Sequence, residues 1–267
     1  MTDADDHRLA WQLARDAGQR LLVLRSDGDL PPDELRPAAD RLSHTYLMAE
    51  LARLRPEDAV LSEEGADDRA RLDASRVWIV DPLDGTREFG ELGRTDWAVH
   101  VALWQDGELT AGAVALPAQG RVLSTWRPEP VPRAQRDRLR VVVSRTRPPA
   151  FVSRLAADLG AVELPMGSAG AKAAAVIAGD ADVYVHSGGQ YEWDSAAPVA
   201  VARAAGLHAS RIDGSALRYN QADPALPDIL ICPVELAPRL LRAIGAAITS
   251  NSVPLAARAT TAQGEQS

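Results

Sequence analysis

Trp78-Ile-Val-Asp-Pro-Leu-Asp-Gly-Thr86 is the stretch on which the fold turns. Arg76 to Asp81 is an apolar, β-branched run that reads as a strand, and Pro82-Leu-Asp-Gly85 reads as the turn that ends it. Pro82 fixes its own φ and holds Asp81 extended. Gly85 permits a tight turn and a close backbone approach. Two carboxylates and the Leu83 carbonyl are thereby aimed at one point, and a hard cation such as magnesium takes oxygens of that kind. Beyond the turn, the amides of Gly85 and Thr86 can open a helix and donate to a phosphate oxygen. An ordinary turn competes for Asp84-Gly85 alone; the whole run favours the cation site.

On the N-terminal side, Asp6 to Leu24 has Leu9, Leu13, Ala17, Leu21 and Leu24 on one helical face. Ser26 to Pro37 reads as a breaker-rich loop, and Ala39 to Leu54 as a second helix. Ala59-Val-Leu61 is a short strand running into Ser62-Glu-Glu-Gly65, which sets Glu63 at the mouth of the same cleft; a solvated loop is the competing reading. On the other side, Trp97 to Trp104 and Leu109 to Leu116 form a hairpin about Gln105-Asp-Gly-Glu108. Arg121 to Trp126 adds a third antiparallel strand. The first half, residues 1–130, is expected to be helices on an antiparallel sheet that carries most of the metal ligands.

Arg127 to Arg138, rich in Pro and Arg, reads as an internal junction. Strands and helices then alternate: strands at 139–144, 161–164, 181–186 and 229–232, and helices at 149–159, 168–178, 193–205 and 234–248. The second half, residues 139–248, is therefore expected to be α/β. The tail, 249–267, is small and polar and is expected to be disordered.

Two further segments carry chemistry. Glu192-Trp-Asp-Ser-Ala-Ala-Pro198 places Asp194 at the start of an Ala-rich helix, where it can cap the helix or face a cleft and bind a cation. Gly167-Ser-Ala-Gly-Ala-Lys172 is a small-residue loop opening a helix and holds the chain's only lysine. Helix amides, the Ser168 hydroxyl and one ammonium suit an anion, with a plain helix start as the alternative.

The 267 residues, 46% of them hydrophobic, suffice for one large domain or two closely packed halves. A net charge of −8 disfavours nucleic acid and anionic membranes as partners. No apolar run approaches the ~20 residues that a bilayer crossing needs. Met1 to Asp6 is acidic and lacks the features of a signal peptide, so a cytoplasmic location is expected. Cys232, the single cysteine, sits in an apolar run and is expected to be buried and inert.

Ser62-Glu-Glu64, Asp81-Pro-Leu-Asp-Gly-Thr86 and Trp193-Asp-Ser-Ala-Ala197, in this order and spacing, resemble the inositol monophosphatase superfamily of lithium-sensitive, magnesium-dependent phosphatases. The likeness spans about Ala10 to Ile248. Val143-Ser-Arg-Thr146, Gly167 to Lys172 and Gln190-Tyr-Glu-Trp-Asp194 resemble the CysQ-type 3'(2'),5'-bisphosphate nucleotidases. The resemblance implies the layered αβαβα sandwich shared with fructose-1,6-bisphosphatases. It also implies hydrolysis of the 3'-phosphate of 3'-phosphoadenosine 5'-phosphate, or of its phosphosulfate relative, in the setting of sulfate assimilation.

The same resemblance implies Glu63, Asp81, the Leu83 carbonyl, Asp84 and Asp194 as ligands of two or three Mg2+ ions, with Glu64 the alternative to Glu63. It implies Asp40 with Thr86 as the pair that activates water, although Pro37 stands where the family has a threonine. Gly85 and Thr86, beside Leu83, Asp84 and Asp194, are expected to hold the reacting phosphate. Arg145, Ser168, Gly170 and Lys172 are expected to meet the distal phosphate or sugar, and Tyr191 or Arg218 to stack on adenine. The expected form is a monomer or homodimer. An inositol 1-phosphate or fructose 1,6-bisphosphate phosphatase of the same fold, and a non-catalytic phosphonucleotide sensor, are the competing functions.

Overall fold

The computed structural model describes residues 3–28, 30–132 and 136–251. In chain order the elements are α1 (Asp3–Asp27), α2 (Pro32–Leu54), β1 (Ala59–Ser62), β2 (Arg76–Asp84), α3 (Thr86–Gly90), β3 (Ala98–Gln105), β4 (Glu108–Leu116) and β5 (Arg121–Ser124). They continue with β6 (Arg140–Ser144), α4 (Val152–Leu159), β7 (Val162–Met166), α5 (Ala169–Ile177), β8 (Val183–Tyr191), α6 (Glu192–Ala204), β9 (His208–Ser210), β10 (Ala225–Cys232) and α7 (Ala237–Asn251).

Two five-stranded sheets form, in the orders β1-β2-β3-β4-β5 and β7-β6-β8-β10-β9. Strand alternation decides what each face buries. On β2, Trp78 and Val80 join Leu13, Leu21, Leu47 and Leu51 of α1 and α2 in one core. Val77 and Ile79 face the other way, into a core with the alanines of α5 and α6. Tyr184, Ile229 and Ile231 close that same core from the second sheet. The opposite face of the second sheet, through Val183, Val185 and Leu230, packs on Val152 and Leu155 of α4 and Leu240 and Ile244 of α7. The layers thus run α1/α2, sheet, α5/α6, sheet, α4/α7, which is the expected αβαβα sandwich. No described helix is long and apolar enough to cross a membrane.

Several expectations are corrected. Ser26 to Pro37 is not a loop throughout, because α2 begins at Pro32. Pro31 caps the helix and Pro32 opens it, where no N–H is needed, and Pro37 costs a single interior bond. The first sheet is not wholly antiparallel, since β1 pairs parallel with β2. The second sheet is mixed: β6 runs parallel to β7 and β8, while β10 is antiparallel to β8 and β9. Of the tail, Thr249 to Asn251 lie in α7; residues 252–267 lie outside the described residues.

Candidate metal centre and active site

The site begins with a break in the β2–β3 register. Asp81 pairs with His100 and Asp84 with Ala98, so Pro82 and Leu83 stand opposite Val99 alone. In a regular strand, residues three apart point to opposite faces; the extra residue cancels that difference and turns both carboxylates to one side. The turn is held from within. The Leu83 N–H donates to Asp81 Oδ1 at 3.0 Å, and Ser43 Oγ on α2 donates to the Pro82 carbonyl at 2.7 Å. Gly85 has φ +87°, and a Cβ there would stand 3.2 Å from both the Asp96 carbonyl oxygen and Ser168 Cβ. Glycine therefore meets two needs at once.

Asp194, in the first turn of α6, accepts the Tyr191 N–H on Oδ2 at 2.7 Å. It caps its helix and also reaches the cleft. One carboxylate oxygen from each of Asp81, Asp84 and Asp194 lies within 4.8 Å of the others. Glu63 stands at the rim of the same cleft, which occupies about 370 Å³ between the two sheets. The Leu83 carbonyl accepts from Thr86 Oγ1 at 3.1 Å, and Thr86 Oγ1 lies 3.5 Å from Asp40 Oδ1. The expected water-activating pair therefore meets, and the proline at position 37 does not displace it.

The carboxylates are not equivalent. Burial, reinforced by the charges of Glu63, Asp84 and Asp194, holds Asp81 well above the usual carboxylate range. Burial and then the Asp84 charge push Asp194 up to about 6. Burial and the Asp194 charge push Glu63 up to about 7, and burial with the Glu64 charge pushes Asp40 up to about 6. Asp84 goes the other way: burial opposes its charge, but His100, Lys172 and the Ser168 hydroxyl outweigh burial and hold it low. His100 was not anticipated. Its ring is fully buried, with Nε2 3.2 Å from Asp84 Oδ2 and Nδ1 3.1 Å from the Trp193 carbonyl. Burial disfavours its cation, and the Asp84 charge more than offsets that.

Four clustered acids with only His100 and Lys172 as internal counter-cations leave negative charge uncompensated in a low-dielectric cleft. Their donors are carboxylate oxygens plus the carbonyl of Leu83, a hard-oxygen set without thiol or thioether. The residues fit a hard divalent cation.

The Gly167 to Lys172 loop is committed differently from expectation. Ser168 Oγ and the Gly170 N–H both donate to Asp84 Oδ2, at 2.5 and 2.8 Å. Lys172 Nζ donates to the carbonyls of Gly167 and Ser168, each at 2.8 Å. The loop's donors orient a carboxylate, and only the cleft-facing edge of Lys172 is left toward solvent. Arg145 is tied to Glu88 and Glu91. Its near neighbour Arg147 lines the cleft instead, with His186 and Gln190 of β8. His186 Nδ1 and Gln190 Oε1 are buried without a partner among the described residues. The sequence pointed to Val143-Ser-Arg-Thr146 and to Arg145; the arginine that lines the cleft is Arg147, one residue past that motif. Tyr191 stacks on Trp193 with ring centroids 4.7 Å apart. Neither Tyr191 nor Arg218 lines the cleft. Cys232 is buried as expected, and burial pushes its thiol up to about 12.

A 3'-phosphoadenosine 5'-phosphate phosphatase of Mycobacterium leprae is 53% identical over 252 residues, covering 90% of this chain and 93% of that one. The 3'(2'),5'-bisphosphate nucleotidase CysQ of Escherichia coli is 34% identical over 233 residues, covering 80% of this chain and 94% of the other. The crystal structure of CysQ from Bacteroides thetaiotaomicron superposes with a TM-score of 0.75 at 27% identity, over 86% of this chain and 97% of that one. Residues 6–249 match the inositol monophosphatase family. With its sandwich of five layers and its three converging aspartates, the chain belongs to the inositol monophosphatase family.

Proposed function

We propose that this protein is a magnesium-dependent phosphatase that removes the 3'-phosphate of 3'-phosphoadenosine 5'-phosphate, giving AMP and phosphate. The observation that carries the reading is the convergence of Asp81, Asp84 and Asp194 in a cleft that is also lined by Lys172 and Arg147. The cleft thus offers a site for one phosphate at the acids and basic side chains for a second group. The name of the M. leprae relative supports the same substrate.

Glu63, Asp81, Asp84, Asp194 and the Leu83 carbonyl would hold the cation. Bound there, a divalent cation supplies positive charge against the phosphate and lowers the pKa of water. The first-turn amides after Gly85 orient the reacting phosphate. Thr86 Oγ1 accepts a hydrogen bond from the attacking water and passes the proton toward Asp40. Burial places the carboxyl of Asp40 near 6, which suits a base at neutral pH. Ser168, Gly170 and His100 keep Asp84 ionised and fixed. Arg147, and the cleft-facing edge of Lys172, meet the distal phosphate of a bisphosphate.

A panel of 3'-phosphoadenosine 5'-phosphate, its phosphosulfate relative, inositol 1-phosphate and fructose 1,6-bisphosphate, assayed with Mg2+ and again with Li+, tests the reading. The nucleotide should be hydrolysed fastest and lithium should inhibit. Faster cleavage of inositol 1-phosphate or the sugar phosphate would overturn the substrate. Tight nucleotide binding without turnover would favour a sensor.

A further inference from the structure

A second polar cluster, buried except for Asp67, lies outside the residues that line the cleft. Glu192, the first residue of α6, is 1% exposed. Its Oε2 accepts the Asn220 N–H at 2.7 Å and its Oε1 the Gln221 N–H at 2.8 Å. Its own N–H donates to the Pro224 carbonyl at 2.8 Å. Asn220 holds a left-handed backbone, φ +58°, and exchanges two hydrogen bonds with Arg71. Arg71 Nη1 donates to Asn220 Oδ1 at 2.7 Å, and Asn220 Nδ2 donates to the Arg71 carbonyl at 3.0 Å. The rest of the Arg71 fork goes to Asp67, at 2.6 and 3.1 Å, and to the Gln221 carbonyl at 2.9 Å. Arg71 is itself 1% exposed.

We infer that Asp67, Arg71, Asn220 and Glu192 form a clamp that positions Asp194 against Asp81, Asp84 and Glu63 and so sets the cation affinity of the cleft. The connectivity carries the argument. Arg71 sits in the 3-10 turn Arg69–Asp73, a few residues after Glu63. Glu192 sits two residues before Asp194, in the first turn of the same helix. The loop through Asn220 and Gln221 joins them. Burying an arginine and a carboxylate is costly and adds little net stability over apolar packing, whereas a fully satisfied network fixes one geometry. Left-handed asparagine adds a strained residue at the joint. Groups that orient metal ligands without touching the metal govern affinity by about 10–100-fold.

The inference rests on the assignment of the three aspartates as cation ligands. Its test is calorimetric Mg2+ binding to the full-length protein without substrate, for wild type, Glu192→Gln and Asp67→Asn. Glu192→Gln presents an amide NH2 to one of two backbone donors. It should raise the Mg2+ Kd about 10-fold or more, while the metal-free protein keeps its circular dichroism and saturating Mg2+ restores most of kcat. Asp67→Asn, at the outer end of the clamp, should raise Kd more weakly and carries the test alone if Glu192→Gln does not fold. Wild-type Kd in a folded variant, even with a lowered Tm, overturns the clamp and leaves the ligand assignment standing. A wild-type protein that binds no Mg2+ overturns both.

Discussion

Replacing Asp194 by Asn should make the metal-free protein more stable while destroying its response to magnesium. Burial and the Asp84 charge raise Asp194 from 3.8 to about 6. Between those values the folded state keeps a proton that the unfolded chain has released, so stability falls as pH rises. The cost is absent below 3.8, grows up to about 6, and is complete above it. The rise from 3.8 to about 6 corresponds to about 3 kcal/mol. For a chain of this size that is ~6–12 °C in Tm. Asp194 is the third helical residue of a capping box, and an asparagine Oδ1 there can take over the Tyr191 N–H, so little is lost on the other side. Thermal unfolding in EDTA should therefore place Asp194→Asn above wild type at pH 8, with the gap closing toward pH 4. Comparing variant with wild type at each pH cancels the opposing titration of His186, which burial holds at about 4. With Mg2+ at pH 8 the order should invert, because only wild type gains binding energy. A variant less stable than wild type at pH 8 without metal would mean that the Asp194 charge carries no such cost and would leave Asp194 as a cap alone.

Three further outcomes follow from the same geometry. Gly170→Ala would put a Cβ 2.2 Å from His100 Nε2 and 2.9 Å from Val114 Cγ1, both buried. It should cost about 1–3 kcal/mol in chemical denaturation, and should lower activity by pulling α5 off Asp84. Asp40→Asn should lower kcat ~10²–10⁴-fold with Mg2+ affinity unchanged by calorimetry. The wild-type rate should fall as pH drops through about 6, where Asp40 takes up its proton. Arg147→Ala should raise KM for a bisphosphate about 10-fold or more while changing KM for a matched monophosphate little, as steady-state kinetics would show.

The parts of this fold written in local sequence were legible in it. Asp81 to Thr86 announces its own turn, because proline, aspartate and glycine act through backbone geometry within a few residues. The α1 stripe and the hairpin at Asp106-Gly107 are equally local. The start of α2 was missed because three prolines read as breakers, although two of them sit where a helix needs no N–H. The caging of Asp84 was missed for a different reason. Ser168 and Gly170 reach it from 84 and 86 residues away, and no local pattern marks such a contact. His100 gave one faint signal, a polar residue within the apolar run Ala98 to Leu103, with Asp81 as its cross-strand neighbour. Lys172 was noticed for its loneliness, but the carbonyls that hold it become visible only in three dimensions.

On this reading, converging carboxylates hold a cation without which the phosphate ester is not cleaved. Phosphate release from 3'-phosphoadenosine 5'-phosphate, measured with Mg2+, after exhaustive chelation, and after Mg2+ is returned, tests it most directly. Rapid release, loss of release and recovery are the predicted sequence. Release that continues undiminished in the chelated protein would contradict the account.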